Sequence, residues 1–554
     1  MALVFALQGA PDVHAQTVPD AGQILREQPT PAPPPAARPP AADPAPAAAS
    51  AADDGPWIRV QAVRITGARL LPTATLEAQL AHLVGRELSF AQLQQAALLL
   101  TAAYAERGYL ARVFLPPQEV VDGQVSFQVV EGRRGRLRVE QQGQRIDAAR
   151  VQAFVDHRLP AGAPLDLSAL GETLAVLNEQ PGADVNAALA AGAAEADVDL
   201  SLRLRDTPPV TSALTVNNHA SRGVGTLQSV GSVTLNNPTG RFDAASLLAS
   251  ASEGSAYLRA DYSLALGVDG TRVKAHAAVL SYRLVQESFR PLRAHGTALA
   301  WGLSASRPLA RRQAFSATLS GGAEFKRLVD QANGGESGNR QIQVAHAGLS
   351  GMAVLGAGVR PGEMAFGVVA TAGHVDQRNT AASAADAAGR GTQGGFAKLG
   401  LNLGWRQSLP GDWTVGVNGS GQWAGGNLDS SEQFVLGGAG GVRAYPSGEA
   451  TGDAGWLLSA SIGRQIGQQL LVSAFVDGGE ITLNHTPLPA TVRNRHGLAG
   501  AGLSADWQFA ARSALRLVIA APLGHNPAAA TSGNDADSRR SGGARLWASV
   551  AAQF

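Results

Sequence analysis

The chain has 554 residues, of which 45% are hydrophobic and 16% charged, with 65 glycines, no cysteine and a formal net charge of +1. This composition excludes a strongly basic nucleic-acid-binding surface, a zinc–cysteine cluster, a disulfide framework and a cysteine nucleophile. A bundle of membrane helices needs runs of about 18 or more apolar residues, and the best candidate, residues 96–105, is too short. Short apolar segments separated by Gly, Asn, Ser and Asp are instead typical of a transmembrane β-barrel.

Residues 1–15 resemble the end of a secretory signal peptide. A short apolar stretch at 3–7 precedes Val13 and Ala15, which are small residues at positions −3 and −1 of a cleavage site. The basic region that normally comes first is missing, since the first Lys or Arg is Arg26. An ordinary N-terminus is the alternative interpretation.

Residues 16–28 contain a short predicted helix on a long tether. Asp20 is a candidate N-cap and Pro29 a helix stop, and nine residues are too few for a helix to be stable alone in water. Residues 29–56 hold ten prolines and predict a semi-rigid spacer of roughly 85 Å at full extension. The helix can therefore dock far from the following domain, although a tail without a function is the alternative.

Residues 57–207 predict a repeated α/β unit of about 75 residues. Each unit reads as strand, two helices and two strands, with one unit at 57–132 and the other at 133–207. Ser89 and Asp166 are the candidate N-caps of the longer helices. The predicted strands lie at 58–67, 110–115, 124–131, 136–141, 185–189 and 198–205, and the predicted helices at 72–83, 89–104, 148–156 and 166–177. The order βααββ, occurring twice, is a specific sign of an internal repeat.

Residues 208–554 predict a membrane β-barrel, because helical periodicity gives way to alternation of period two. In the segment 413–423 the aromatic and apolar residues from Trp413 to Trp423 share one face, and Thr, Asn, Ser and Gln share the other. The same alternation recurs at 257–266 and 456–463. The polar faces carry mainly Ser, Gly, Asn and Thr, which suits a water-filled lumen better than the charged outer face of a soluble sandwich.

The strand count follows from the length of this segment. At roughly 20 to 24 residues per strand and connection, it holds 14 to 17 strands, and an even number favours 14 or 16, with 16 preferred. The last apolar face ends on the aromatic residue Phe554. A final strand must pair with the first to close the barrel.

The sequence contains none of the common catalytic or nucleotide-binding motifs. The sequence has no nucleophile elbow, Walker loop, HExxH pair or Rossmann fingerprint in a βαβ setting, and its eleven histidines show no metal-ligand spacing. The glycine run at 437–441 lacks the Lys–Ser/Thr of a phosphate-binding loop. We therefore predict a protein without catalytic residues, metal or cofactor.

Two segments of the predicted barrel could interact inside it. Arg443 lies in a long connection at 424–453, and connections of this length are usually functional or disordered. Asp477 lies in a strand at 470–481 whose opposite face is apolar, so its carboxylate would point into the lumen. An arginine on a loop folded into the barrel could bind it as a bidentate pair. Two solvated, unpaired charges are the alternative.

The order of these elements resembles the two-partner secretion transporters, the TpsB family, which belong to the superfamily of BamA-type barrel-assembly proteins. The repeats are similar to POTRA domains, and the resemblance covers essentially the whole chain after the signal. In this superfamily the sixth extracellular loop folds into the lumen with a Val-Arg-Gly-Phe/Tyr tip, whose Arg contacts the Asp of a Phe-x-Asp-x-Gly strand motif. The residues that match are Val442, Arg443 and Tyr445 in the tip and Phe475, Asp477 and Gly479 in the strand. Ala444 departs from the family glycine, and alanine disfavours a positive φ.

The resemblance implies an outer-membrane transporter with periplasmic POTRA domains. It would export one large unfolded exoprotein of the haemagglutinin, haemolysin or contact-dependent toxin type, with the helix at 16–28 as a plug. Its partners would be this secreted client with its N-terminal secretion domain, outer-membrane lipid and the barrel-assembly machinery that inserts it, with no nucleic acid. A barrel insertase of the same superfamily and a plain porin or adhesin barrel are the alternatives, although insertases usually carry more than two POTRA units.

Overall fold

A computed structural model describes residues 18–30, 57–356, 360–488, 493–530 and 532–554 of the chain. The predicted signal remnant at 1–15 and most of the proline-rich segment lie outside these residues. Within the described ranges, no α-helix combines the length and apolar character needed to cross a membrane. The elements form three parts in chain order: a short N-terminal helix, two α/β units and a closed barrel.

The N-terminal helix is α1 (Ala21–Arg26), shorter at both ends than the predicted 20–28. Asp20 is its N-cap, as expected, and its side chain accepts a hydrogen bond from the backbone N–H of Gln23 at 2.9 Å. Ala21 and Ile24 are fully buried. Because so short a helix is unstable alone, its position depends on the surroundings that bury it.

The first α/β unit packs two helices against a three-stranded sheet. Its elements are β1 (Ile58–Arg59), β2 (Ala62–Thr66), α2 (Thr73–Leu80) with a 3₁₀ turn (Ala81–Leu83), β3 (Glu87–Leu88), α3 (Phe90–Glu106), β4 (Ala111–Phe114) and β5 (Gln124–Glu131). The sheet order is β2-β5-β4, with β2 parallel and β4 antiparallel to β5. Ser89 and Gln92 form a capping box at the start of α3, so the predicted cap is present.

The second unit repeats this arrangement. Its elements are β6 (Arg133–Gln142), α4 (Ala148–Arg158), α5 (Leu167–Asn178), β7 (Ala183–Ala191) and β8 (Asp197–Asp206), with the sheet order β6-β8-β7. Asp166 caps α5 through the backbone N–H groups of Ser168 and Ala169. The apolar stripe of α5 faces the core at Leu170 and Leu177. The predicted class of POTRA-like α+β repeats is confirmed.

Among the described residues, sixteen antiparallel strands close into a barrel, which confirms the preferred strand count. They are β9 (Val210–Asn217), β10 (Gln228–Asn236), β11 (Ala244–Ser252), β12 (Ser255–Ala265), β13 (Arg272–Arg283), β14 (His295–Arg312), β15 (Phe315–Ala332), β16 (Gly335–Leu355), β17 (Gly362–Gln377), β18 (Gly394–Leu409), β19 (Trp413–Ala424), β22 (Ala454–Ile466), β23 (Leu470–Thr482), β24 (Arg495–Ala510), β25 (Ser513–Pro522) and β26 (Arg545–Gln553). Strand β26 closes the barrel by pairing with β9. Phe554 extends this pairing through backbone hydrogen bonds with Ser212.

The connections on the side of the barrel away from the α/β units carry further short elements. They are 3₁₀ turns (Arg222–Val224, Glu287–Leu292 and Ser430–Glu432), helix α6 (Thr380–Ala388) and a two-stranded ladder of β20 (Phe434–Val435) and β21 (Thr451–Gly452). The turn Ser430–Glu432 and the strands β20 and β21 lie between β19 and β22.

The strands alternate as the sequence predicted. Leu258 and Tyr262 of β12 are exposed on the outside, whereas Tyr257 and Asp261 on the opposite face are buried in the interior. Trp413 and Trp423 are likewise exposed on the outer face of β19. Apolar residues facing out and polar residues facing in match a barrel that has lipid outside and water inside.

The second α/β unit is joined to the barrel through a shared core. Phe242, in the turn between β10 and β11, is fully buried among residues of the unit and meets the ring of Phe154 edge-on, with the ring centroids 5.9 Å apart. Arg311 at the end of β14 pairs with Glu179 after α5, with Nε and Oε1 2.5 Å apart. This unit is therefore held against one rim of the barrel.

Candidate functional site: a barrel lumen filled by a loop and a helix

The connection between β19 and β22, residues 425–453, folds into the barrel, and we call it the inward loop. Its residues Leu436, Val442, Ala444 and Tyr445 are fully buried. They form one apolar cluster with wall residues, including Leu498 of β24 and Trp547 of β26. The loop is thus a packed part of the lumen, in contrast to an exposed surface loop.

At the tip of the inward loop, Arg443 binds Asp477 of β23 with both forks of its guanidinium. Nη2 lies 2.6 Å from Oδ1 and Nε lies 2.8 Å from Oδ2, and the backbone N–H of Arg443 donates to Oδ2 at 3.1 Å. Nη2 also donates to Ser459 Oγ of β22 at 3.0 Å. The guanidinium carbon lies 3.3 Å from the centre of the Phe475 ring, so charge, bidentate geometry and a cation–π contact act together.

The other predicted motif residues surround this pair. Phe475, Asp477 and Gly479 all face inward on β23, two residues apart. Val442 and Tyr445 flank the arginine in the buried cluster, and the indole N–H of Trp547 donates to the carbonyl oxygen of Arg443 at 2.7 Å. The structure therefore brings the loop and strand motifs together. Phe554, by contrast, lies at the rim with an exposed side chain.

Ala444 occupies its position without backbone strain. Its φ lies outside the left-handed region, whereas Ala450 of the same loop has a φ of 52°. The conformational cost expected from replacing the family glycine therefore does not arise at Ala444.

The first part of the inward loop is held by Glu432, which the sequence analysis did not single out. Its carboxylate lies 2.7 Å from Nζ of Lys326 on β15 and 2.9 Å from Nζ of Lys398 on β18. Burial raises the pKa of Glu432, but the two ammonium groups outweigh burial and hold the pKa below its usual value. The loop is thus tied to the wall at a second, charged point.

Two further anchors hold the last part of the inward loop, before β22. Asp453 is fully buried and binds Arg390, from the connection between β17 and β18, at 2.8 Å. Glu449 accepts hydrogen bonds from Asn526 at 2.8 Å and from the backbone N–H of Ala536 at 2.6 Å. Both of these partners belong to the connection between β25 and β26, so several loops meet inside the barrel mouth.

Helix α1 lies in the lumen beside the inward loop. Ile24 belongs to an apolar cluster with wall residues such as Tyr257 and Leu280. Arg26 donates to the carbonyl oxygens of Ser430 and Gln433 in the inward loop. Burial lowers the pKa of Arg26, and nearby carboxylates oppose this effect.

Arg340 on β16 connects the helix, the wall and the inward loop. Its guanidinium lies 3.0 Å from the carboxylate of Asp20, 3.0 Å from Asp330 on β15 and 2.9 Å from Asp429 in the inward loop. Asp330 also accepts a hydrogen bond from the backbone N–H of Ala21 at 2.7 Å. We call these four charged groups the Arg340 cluster.

Space remains between the tip of the inward loop and strands β17 to β19. A cavity of about 570 Å³ is lined there mainly by Gly, Asn and Ser residues of the wall and by Gly440 and Gly441 of the loop. Within the described residues, no group of three or more His, Cys, Asp or Glu side chains could hold a metal ion. The contacts shown around this lumen are apolar packing, hydrogen bonds and ion pairs.

Sequence reasoning missed Arg340, Lys326, Glu432 and Asp453. A signal was available for Lys326, a charge at an inward position next to the apolar outward residue Phe325. Arg340 carries no such signal, because the outward residues beside it are polar and the inward residues that follow it are apolar. Which loop residue each of them meets depends on the path of the loop inside the barrel, and alternation along a strand carries no information about that path.

A closed barrel that holds an inward loop and a helix, preceded by two βααββ units, defines a POTRA-bearing outer-membrane transporter. The family described as haemolysin secretion/activation protein ShlB/FhaC/HecB matches residues 195–506, more than half of the chain, and the chain belongs to this family. The ShlB-type POTRA domain matches residues 58–132. The resemblance to two-partner secretion transporters, the outer-membrane location and the expected class of function are confirmed.

Individual relatives agree with this assignment. The heme/hemopexin transporter protein HuxB of Haemophilus influenzae strain 86-028NP is 25% identical over 462 residues, which cover 81% of each chain. The outer membrane transporter CdiB of Escherichia coli is 27% identical over 195 residues, 35% of this chain and 32% of CdiB.

Solved structures show the same fold. CdiB from Escherichia coli superposes with a TM-score of 0.69 at 20% identity, covering 97% of this chain and 96% of that one. BamA from Haemophilus ducreyi, lacking POTRA domains 1–3, gives a TM-score of 0.52 at 15% identity, covering 90% of this chain and all of that one. The insertase alternative is not favoured, because the matching family is one of secretion proteins and the likeness to BamA concerns the fold alone.

Proposed function

We propose that this transporter exports one large exoprotein as an extended chain through its own lumen, after the POTRA units have bound it. Helix α1 and the inward loop leave their positions to open the path. The observation that carries this proposal is the way the lumen is filled: by two segments attached to the wall through side-chain packing, ion pairs and hydrogen bonds. The wall itself is a continuous backbone ladder.

Helix α1 can leave without creating an unpaired buried charge. When Asp20 moves out with the helix, Arg340 keeps the carboxylates of Asp330 and Asp429, and it still keeps that of the wall residue Asp330 once the inward loop has moved too. Breaking a buried pair is costly chiefly because the remaining charge loses its partner. The Arg340 cluster has three carboxylates for one guanidinium, so the loss of one carboxylate leaves a better balanced group.

Strand β7 supports recognition of an extended client. It lies at the edge of its sheet, and after Asp184 its sequence carries no charge and no proline. Natural edge strands normally carry such residues to prevent pairing with other chains. The edge strands of the first unit carry Arg64 and Arg112 instead. An extended client would therefore add to β7 by backbone hydrogen bonding.

The energy for export must come from outside the barrel. The sequence has no nucleotide-binding motif, and a polar lumen does not by itself favour movement of the client in one direction. Folding of the client at the cell surface supplies the bias, because each folded segment is prevented from returning.

A reversible cross-link tests the proposed route. Ser250 Oγ of the β11 wall donates to the side-chain oxygen of Gln28, just after α1, at 2.7 Å. Since the chain has no cysteine, Gln28→Cys with Ser250→Cys creates one thiol pair, which a short reversible bis-methanethiosulfonate reagent can bridge. We expect cross-linked cells to stop secreting a co-expressed exoprotein client, and reduction to restore secretion.

The two single-cysteine variants treated with the same reagent are the matched controls, because they carry the same substitutions and modifications without the bridge. Undiminished secretion by fully cross-linked protein would show that the helix does not need to leave the lumen, and would contradict the proposal.

A further inference from the structure

Three wall residues on neighbouring strands form one level beneath the tip of the inward loop. Ser459 of β22 is paired with Asp477 of β23, and Asp477 is paired with Gly500 of β24. Neighbouring strands lie about 4.8 Å apart, so a loop segment that crosses this level meets the three residues in turn. We call them the tip-binding row.

Two successive residues of the loop tip lie across this row. Arg443 binds Ser459 and Asp477, as described above, and Ala444 lies over Gly500. A methyl group added at Gly500 would be 2.5 Å from Cβ of Ala444 and 3.2 Å from the carbonyl oxygen of Ala521. The Ala444 side chain therefore fills the space that a side chain at position 500 would need.

We infer that Gly500 is a positioning residue for the inward loop. Because glycine has no side chain, Ala444 fits against it, and this fit sets the register in which Arg443 reaches Asp477. Because Ala444 has no left-handed backbone to maintain, the steric fit against the wall determines whether alanine is accepted at this place. A side chain at position 500 would push the tip away from the row, and the bidentate pair would lose its geometry.

Other glycines of β24 differ from Gly500 in what they face. A methyl group at Gly497 would have only the carbonyl oxygen of Gly479 nearby, at 3.7 Å, an ordinary contact. A methyl group at Gly502 would collide with the backbone of β25 and with the ring of Phe475, so the wall itself requires that glycine. At Gly500 the nearest atom belongs to the inward loop.

The test measures where the tip lies without needing a client. Gly440 has no atom within 4 Å of an added methyl group and lines the lumen cavity, so Gly440→Cys places a reporter thiol near the tip. A large, membrane-impermeant polyethylene-glycol maleimide added to intact cells then reports how often the tip is exposed. The reporter is combined with Gly500→Ala, with Ala444→Gly, with both, and with the control Gly497→Ala.

We expect Gly500→Ala to raise the labelling rate by roughly 5- to 150-fold, the range that corresponds to an overpacked contact. In the Ala444→Gly background, the same substitution should change the rate far less, and Gly497→Ala should label like the parent. Heat-modifiable mobility on gels checks that each barrel is folded.

The inference is overturned if Gly500→Ala leaves labelling unchanged. It is also overturned if Ala444→Gly fails to reduce the effect, or if the double variant fails to fold, since the wall contact at Ala521 would then be responsible. The inference rests on the proposed role of the inward loop only for its effect on export. Labelling can therefore contradict this inference while the cross-linking result still supports the export route.

Discussion

At the scale of single residues, the contact between Arg443 and Asp477 combines an ion pair with several hydrogen bonds. Asp477 is fully buried, and three hydrogen bonds from Arg443 reach its two oxygens. Removing one partner of a buried pair typically costs about 3–5 kcal/mol, because the other charge remains without compensation. The loop tip should therefore depend on both residues, whereas the backbone hydrogen bonds of the barrel wall depend on neither side chain.

We predict that Arg443→Ala or Asp477→Ala abolishes secretion while the barrel still inserts into the outer membrane. Secretion is measured in the culture medium, and insertion by surface extraction and heat-modifiable mobility. Arg443→Lys is the matched variant, since it keeps the charge but loses the two-forked geometry, and it should secrete more than Arg443→Ala. Normal secretion by both alanine variants would remove this role from the pair.

Glu449 is the group through which we expect the anchors of the inward loop to respond to pH. Burial, the largest cause, raises its pKa to about 7, and the nearby carboxylate of Asp535 acts in the same direction. Hydrogen bonds from Ala536 and Asn526 and the charge of Arg545 oppose the increase. A raised pKa in the folded state means that this group's stabilising contribution is present below its usual value of 4.5 and is lost as the pH rises through about 7.

We therefore predict that the inward loop becomes less firmly held as the pH rises from 4.5 to about 7, seen as larger current fluctuations in planar bilayers. Glu449→Gln should reduce this dependence, because glutamine keeps the size and the acceptor oxygen but does not titrate. If the glutamine variant shows the same pH profile as the parent, another group is responsible.

At the scale of elements, the edge strand β7 can be tested by its backbone alone. The side chain of Asn178 bonds both backbone groups of Val185, at 2.6 and 3.0 Å, so these groups point away from β8. Because antiparallel pairing alternates every second residue, the N–H groups of Ala187 and Leu189 point outward as well. These groups are the ones that an added client strand would use.

We predict that Ala187→Pro lowers client binding and secretion, because proline removes an outward N–H that β8 does not need. Proline is tolerated on edge strands for the same reason. Ala187→Ser keeps the N–H and is the matched control. Binding of the client's N-terminal domain to purified transporter is the measurement, and equal binding by the two variants would argue against strand addition at β7.

At the scale of the whole molecule, Phe242 couples the second α/β unit to the barrel. This residue belongs to a barrel turn but is buried in the core of the unit, so the two parts share packing. Loss of a buried phenylalanine side chain costs about 3–5 kcal/mol. The contact between the second α/β unit and the barrel should be weakened most, since the barrel wall and the unit each keep their own hydrogen-bonded sheet.

We predict that Phe242→Ala makes residues 57–207 more sensitive to protease in purified transporter, while the barrel keeps its heat-modifiable mobility. Phe315→Ala is the control, because Phe315 begins β15 beside Phe366 with an exposed ring. Equal protease sensitivity of both variants would show that the contact between the second α/β unit and the barrel does not depend on Phe242.

The parts of the molecule can be recognised in the amino-acid sequence without the structure. Period-two alternation identifies barrel strands because lipid and water lie on opposite faces of a single layer, and Ser89 and Asp166 mark helix starts because a side-chain oxygen must satisfy free N–H groups. The pairing of Arg443 with Asp477 could be anticipated from the matching motifs. The low charge and high glycine content follow from the large share of the chain that forms this wall.

The segments that fill the lumen, and their contacts there, follow from the folded arrangement of the whole chain. The Arg340 cluster unites residues 20, 330, 340 and 429, and Gly500 receives Ala444, although nothing in the local sequence links these positions. Alternation along a strand indicates whether a residue faces lipid or the lumen. Contacts inside a barrel also depend on strand order, register and the path of the inward loop. Those are set by closure of the whole sheet, in which each strand's level depends on the register of every neighbour.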